Sequence, residues 1–74
     1  MDFSDYLRLT RLFYGKTQSD FAKDLGYKQS TISDVENKRK IASDKLRIAL
    51  ARRFPKSEEF ERFLMEIKRG SEDK

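Results

Sequence analysis

TQSDFAKDLGYKQSTISDVEN, Thr17 to Asn37, decides how this chain folds. Thr17 is a good N-cap with Asp20 in the turn behind it, so a helix starts there and runs to Leu25, where Gly26 can close it in the left-handed conformation. A second helix is predicted over about Lys28 to Glu36, with Ile32 and Val35 at helical spacing and Asn37 able to take the left-handed closing conformation. So few residues join the two helices that they must pack as a hairpin at a steep angle. Ala22 is small where they cross closest, Gly26 leaves the turn unhindered, and Phe21, Leu25, Ile32 and Val35 supply a shared apolar seam. The second helix nevertheless opens on short polar side chains, Gln29, Ser30, Thr31 and Ser33, and is followed by the cations Lys38, Arg39 and Lys40. A helix that only packs does not need that arrangement.

Composition limits what such a chain can do. Seventy-four residues make one small domain with an economical core and no room for a deep catalytic cavity. With 36% hydrophobic and 41% charged residues, three glycines and one proline, charged helix faces are well supplied and strands are not. The expected fold class is all-α. The absence of cysteine excludes disulfides and thiolate metal sites, and the absence of histidine removes the commonest general base and imidazole ligand. No enzyme, cofactor or metal is expected. No apolar run reaches membrane-spanning length, and the opening MDFSDY is acidic where a signal peptide is basic and then apolar. The expectation is a soluble, intracellular protein.

The basic excess is uneven. Residues 1 to 54 carry twelve Lys/Arg against seven Asp/Glu, whereas residues 55 to 74 carry five against six. Between Lys38 and Arg53 stand Lys38, Arg39, Lys40, Lys45, Arg47, Arg52 and Arg53 with the single acid Asp44. Such a block is the footprint expected beside a phosphate backbone, and is also common on solvated surfaces.

Three further helices complete the expected layout. The first, about Phe3 to Tyr14, carries Phe3, Leu7, Thr10, Arg11 and Tyr14 on one face and ends at Gly15. The fourth follows the N-cap Ser43, buries Leu46, Ala49, Leu50 and Phe54, and stops before Pro55. The fifth is capped by Ser57 and shows Phe60, Phe63, Leu64 and Ile67 at helical spacing, with Gly70 as its end. Residues 1–70 are expected to form the domain and 71–74 a disordered tail.

Helix-turn-helix spacing is now evident, and Thr17 to Asn37 resembles the motif of the phage repressor and Cro family (Cro/C1-type, XRE-like). Gln18, Ala22, Gly26, Ile32, Glu36 and Asn37 stand at the family's relative positions, and the five-helix layout extends the likeness over about residues 5 to 64. The resemblance implies a five-helix lambda-repressor-like domain whose third helix enters the DNA major groove. Lys28, Gln29, Ser30, Ser33 and Asp34 are then the base-facing set. Gln29 can pair with adenine N6 and N7 at once, Ser30 suits either kind of base edge, and Asp34 can accept from cytosine N4 while repelling phosphate. Gln18, Lys38, Arg39, Lys40, Ser43 and Lys45 are implied as phosphate contacts, with Gln18 also able to brace Gln29. Lys38 departs from the family, which often has glycine after Glu-Asn. Arg11 and Glu36 match positions that hold a partly buried structural ion pair.

The function implied is that of a sequence-specific transcriptional regulator, closest to a Cro-like phage or prophage repressor or to a detached repressor DNA-binding domain. It acts in the cytoplasm of a bacterial cell or phage-infected host on double-stranded, palindromic operator DNA. A homodimer, at least on DNA, would double the base contacts, with Phe54, Phe60, Phe63, Leu64, Met65 and Ile67 as candidate contacts. The alternative is a protein-interaction module of antitoxin or antirepressor type, with the fifth helix holding a protein partner. A hairpin used only for packing gives the same geometry.

Overall fold

The computed structural model describes the backbone of residues 1–72 and the side chains of residues 1–70. Among these residues five helices occur in order: α1 (Phe3–Phe13), α2 (Gln18–Leu25), α3 (Gln29–Glu36), α4 (Asp44–Arg53) and α5 (Glu58–Glu72). No strand occurs among the described residues.

Four of these helices start at a side-chain oxygen that satisfies an otherwise unpaired backbone N–H. Asp2 accepts from the Asp5 N–H at 3.0 Å and Thr17 from that of Asp20 at 3.1 Å. Ser43 accepts from Leu46 and Ser57 from Phe60, each at 3.1 Å. The exception is α3. Lys28 occupies its N-cap and makes no capping hydrogen bond, and no acid stands in the first turn. Packing has to hold this helix.

The ends of α1, α2 and α3 share one geometry. Gly15 (φ 64°) and Gly26 (φ 78°) are left-handed. At each, two successive N–H groups return to the last turn: Gly15 to Leu12 and Lys16 to Arg11, then Gly26 to Lys23 and Tyr27 to Ala22. This is the Schellman arrangement. At the end of α3 it recurs with Lys38 (φ 62°) as the left-handed residue, Lys38 N–H donating to the Val35 carbonyl at 3.1 Å and Arg39 N–H to that of Asp34 at 2.8 Å. The reversal expected at Asn37 therefore falls one residue later. Asn37 keeps φ at −91° and its side-chain amide joins its own N–H as a second donor to the Ser33 carbonyl, at 2.9 Å, without turning the chain.

Leu7, Phe21, Ala22, Leu25, Ile32, Val35, Leu46, Leu50 and Phe54 form one continuous core, drawn from α1 to α4 and the residue that closes α4. Burial of each large member is worth about 1.5–3 kcal/mol, which is how an uncapped α3 is retained through Ile32 and Val35. Thr10 is buried with its hydroxyl donating to the Tyr6 carbonyl at 2.7 Å.

Helix α5 adds an aromatic layer. Phe13 lies 5.0 Å from Phe60 and 5.3 Å from Phe63 between ring centroids, and Tyr14 lies 5.0 Å from Phe54. Phe54 also meets Phe21 at 5.1 Å, which joins this layer to the core. Phe54 and Phe60 are thus buried, and of the apolar set expected at a partner contact only Phe63, Leu64, Met65 and Ile67 keep exposed surface. The helix also passes Gly70, the end expected from sequence, and takes in Ser71 and Glu72. Glycine inside a helix costs only about 1 kcal/mol relative to alanine, and no proline or left-handed turn enforces a stop. Asp73 and Lys74, the rest of the expected tail, lie outside the described residues.

A left-handed lysine costs about 1 kcal/mol or more that glycine avoids. Lys38→Gly is expected to be more stable than Lys38→Ala by about 1 kcal/mol, since both lose the ammonium and only one relieves the backbone. Urea unfolding of the two variants checks this, and equal midpoints would show an unstrained turn.

Candidate nucleic-acid interface

Helix α3 divides sharply into two faces. Ile32, Val35 and Glu36 are buried, while Lys28, Gln29 and Ser30 are exposed and Ser33 and Asp34 are half-buried. Helical spacing stacks Gln29 over Ser33 and Ser30 over Asp34, so these four form one outward strip with Lys28 at its head. The Ser33 hydroxyl also accepts from the Asn37 amide at 3.3 Å. Lys28 supplies no side-chain cap, while its carbonyl accepts from the Thr31 and Ile32 N–H groups at 3.1 and 3.3 Å.

The buried Glu36 sets the position of that strip. Arg11 Nε donates to Glu36 Oε2 at 2.8 Å and Arg11 Nη2 to Oε1 at 3.0 Å, a two-pronged pairing of guanidinium and carboxylate. Gln18 Nε2 donates to the same Oε1 at 3.2 Å, and Arg11 Nη1 to the Lys16 carbonyl at 3.2 Å. One carboxylate thus joins α1, α2 and α3. Its side chain is 3% exposed and that of Arg11 16%, so the pair is largely removed from water. Gln18, expected from sequence to be able to brace Gln29, has its amide on Glu36 instead.

The cations after α3 are sorted by the fold. Lys38 Nζ lies 2.6 Å from Asp2 Oδ2 and 3.4 Å from Asp5 Oδ1. The Lys38 ammonium, and after it the Asp5 N–H, hold the Asp2 carboxyl below its ordinary pKa, and the bond to Asp2 raises that of Lys38. Arg53 approaches Asp24 at 4.0 Å, and the Arg47 guanidinium sits 4.5 Å over the Phe3 ring. Arg39, Lys40 and Lys45 are exposed and, with Lys28, make no ion pair among the described residues. Ser43 is exposed, and its oxygen serves the start of α4. Sequence reasoning missed Asp2 and Asp5 entirely. Asp2 was legible as a helix cap, but nothing local shows a contact with a residue 36 positions away.

Two short helices locked through their inner faces, with a polar strip and free cations on the outside, define a small all-α domain of helix-turn-helix architecture. A helix-turn-helix family model matches residues 7–60, and the chain belongs to that Cro/C1-type family of DNA-binding transcription regulators. No curated protein and no solved structure matches the chain. Among the described residues, no group of His, Cys, Asp and Glu is placed to hold a metal ion, and no helix is long and apolar enough to cross a membrane.

Removing one partner of a pair this buried leaves an uncompensated charge, so Glu36→Ala is expected to lose about 3 kcal/mol. The Arg11→Ala, Glu36→Ala double-mutant cycle, read by chemical denaturation, should return a coupling energy well above that of an exposed pair. Additive losses would show that the two residues act separately.

Proposed function

We propose that this protein is a sequence-specific repressor, of the Cro-like phage or prophage kind, that occupies an operator by inserting the N-terminal part of α3 into the major groove. The observation that carries the reading is the division of α3. A helix whose inner face is fixed by Ile32, Val35 and Glu36 presents Gln29, Ser30, Ser33 and Asp34 in one strip beside an N-terminus left uncapped by Lys28. Gln29 and Ser30 would read base edges, Ser33 and Asp34 would tune the choice, and Lys28 would reach the groove edge or phosphate. Gln18, Lys38, Arg39, Lys40, Ser43 and Lys45 would hold the backbone.

Two copies on one operator, with half-sites about 34 Å apart, would give the contacts one small domain lacks. The surface for pairing lies on α5, where Met65 is 63% exposed and Phe63, Leu64 and Ile67, on a different side of the helix, are half-buried. Sedimentation with a palindromic duplex should show two protomers per duplex bound cooperatively; strict one-to-one binding to the full site excludes the dimer.

Selection of bound sequences from a random duplex pool tests the reading as a whole. A recovered motif identifies the operator, while sequence-blind binding together with a tight protein partner points to an antitoxin-type or antirepressor-type module. On the selected site Gln29→Ala should lose about 1–3 kcal/mol and relax preference at one base position. Lys40→Ala should instead weaken binding to all sequences alike and lower the salt slope by about 1. If Gln29→Ala weakens random and selected duplexes equally, α3 is not the reading element.

A further inference from the structure

Lys38 stands at the end of α3 in a conformation that lysine adopts reluctantly, and its ammonium is not turned outward with its neighbours. It is held between two carboxylates at the start of α1, 2.6 Å from Asp2 and 3.4 Å from Asp5. These acids stand among cations. One shallow depression is lined by Asp2, Phe3, Lys38, Lys40, Ile41 and Arg47, among others. Nothing in the core demands a cation there, since the Schellman turn is made by backbone groups alone and glycine would make it more easily.

We propose that Asp2 and Asp5 act as an internal stand-in for a DNA phosphate, holding Lys38 in the free protein and yielding it when a duplex backbone arrives. The proposal rests on the reading of α3 and the turn after it as the surface that faces DNA. Three features fit it. First, the contact is weak enough to exchange, because the Lys38, Asp2 and Asp5 side chains are 53%, 57% and 39% exposed and exposed pairs stabilise little. The contrast is Glu36, buried and triply hydrogen-bonded, which has no such freedom. Second, the geometry is that of a charge-assisted hydrogen bond, the same interaction a phosphate oxygen offers to an ammonium. Third, the acids stay where they are after exchange. Asp2 Oδ1 caps α1 through the Asp5 N–H while Oδ2 holds Lys38, so release of Lys38 leaves the Asp2 charge fixed by the cap, with that of Asp5 in the same first turn, beside the incoming backbone. The result is a lowered affinity for every duplex, random sequence included, with base discrimination by Gln29 and Ser30 untouched. Such a device leaves the specificity ratio unchanged but makes a larger share of the binding free energy depend on sequence.

The test is the Asp2→Asn, Asp5→Asn double variant, measured on a random-sequence duplex and on the selected duplex over a range of salt. Asparagine keeps the α1 cap, and a thermal melt verifies folding. Binding to both duplexes should tighten by a similar factor, roughly two- to five-fold, and the salt slope should steepen by about 1, because no freed carboxylate then takes up cations as Lys38 passes to a phosphate. In a Lys38→Ala background most of that gain should vanish. An equal gain in that background would overturn the proposal, because the acids would then act only through the general field, and so would no gain at all. The reading of α3 is scored separately: if the unaltered protein prefers no sequence, that reading fails while the effect on the random duplex still decides the fate of Asp2 and Asp5.

Discussion

The placement of α3 depends on one carboxylate. Glu36 accepts two hydrogen bonds from Arg11 in α1 and one from Gln18 in α2, and it does so at the end of a helix too short to stand alone. Apolar contacts by Ile32 and Val35 hold α3 against the core but leave it free to slide or roll by small amounts, since such contacts are not directional. A guanidinium fork has a fixed geometry and leaves far less freedom. Buried pairs of this kind are weak contributors to stability once desolvation is counted, and their use in setting register fits what Glu36 does here. A leucine at this position could pack as well without fixing the roll of the helix.

The consequence is a division of labour along the chain. Helices α1, α2, α4 and α5 begin on side-chain caps, and α1 and α2 end on glycine. Only α3 has a lysine at each of these places, Lys28 where a cap belongs and Lys38 where glycine belongs. Neither end of α3 therefore carries the residue type that helix ends favour. Conflicts between local preference and global fold tend to collect at functional surfaces, because residues there are chosen for what they touch. Both substitutions put a cation at an end of the same helix, and both are tolerated because Ile32, Val35 and Glu36 hold it from the other side.

Much of this fold is legible in the sequence. The caps at Thr17, Ser43 and Ser57 and the turns at Gly15 and Gly26 are local signals, each decided within four or five residues, and they are where local rules place them. The seam of Phe21, Ala22, Leu25, Ile32 and Val35 follows from helical spacing in the same way. Sequence reasoning fails where two distant elements meet. Leu9 is buried although it lies off the face predicted for α1, because α1 is covered on a second side by α5. Phe54 and Phe60 look available for a partner because no local pattern shows that Tyr14 and Phe13 enclose them. At Asn37 the local rule itself is incomplete. Left-handed tolerance points to a turn there, but the amide has an alternative use on the Ser33 carbonyl.

The cation run shows the same limit in electrostatic form. Seven cations and one acid between Lys38 and Arg53 suggest a uniform positive band, yet the fold divides them by what each one meets. Lys38 is held by Asp2 and Asp5, Arg53 approaches Asp24, and Arg47 lies on Phe3. Charge counted along the sequence therefore overstates the charge free to displace counterions from a duplex, which is the quantity that sets both affinity and its salt dependence. Arg39, Lys40 and Lys45 remain on the loop after α3 and at the start of α4, and Arg52 remains in the last turn of α4. The first three place uncommitted positive charge at one end of the helix proposed to read bases, with Lys28 at the other. A backbone drawn to both ends leaves the strip from Gln29 to Asp34 lying between its phosphates, where a major groove would be.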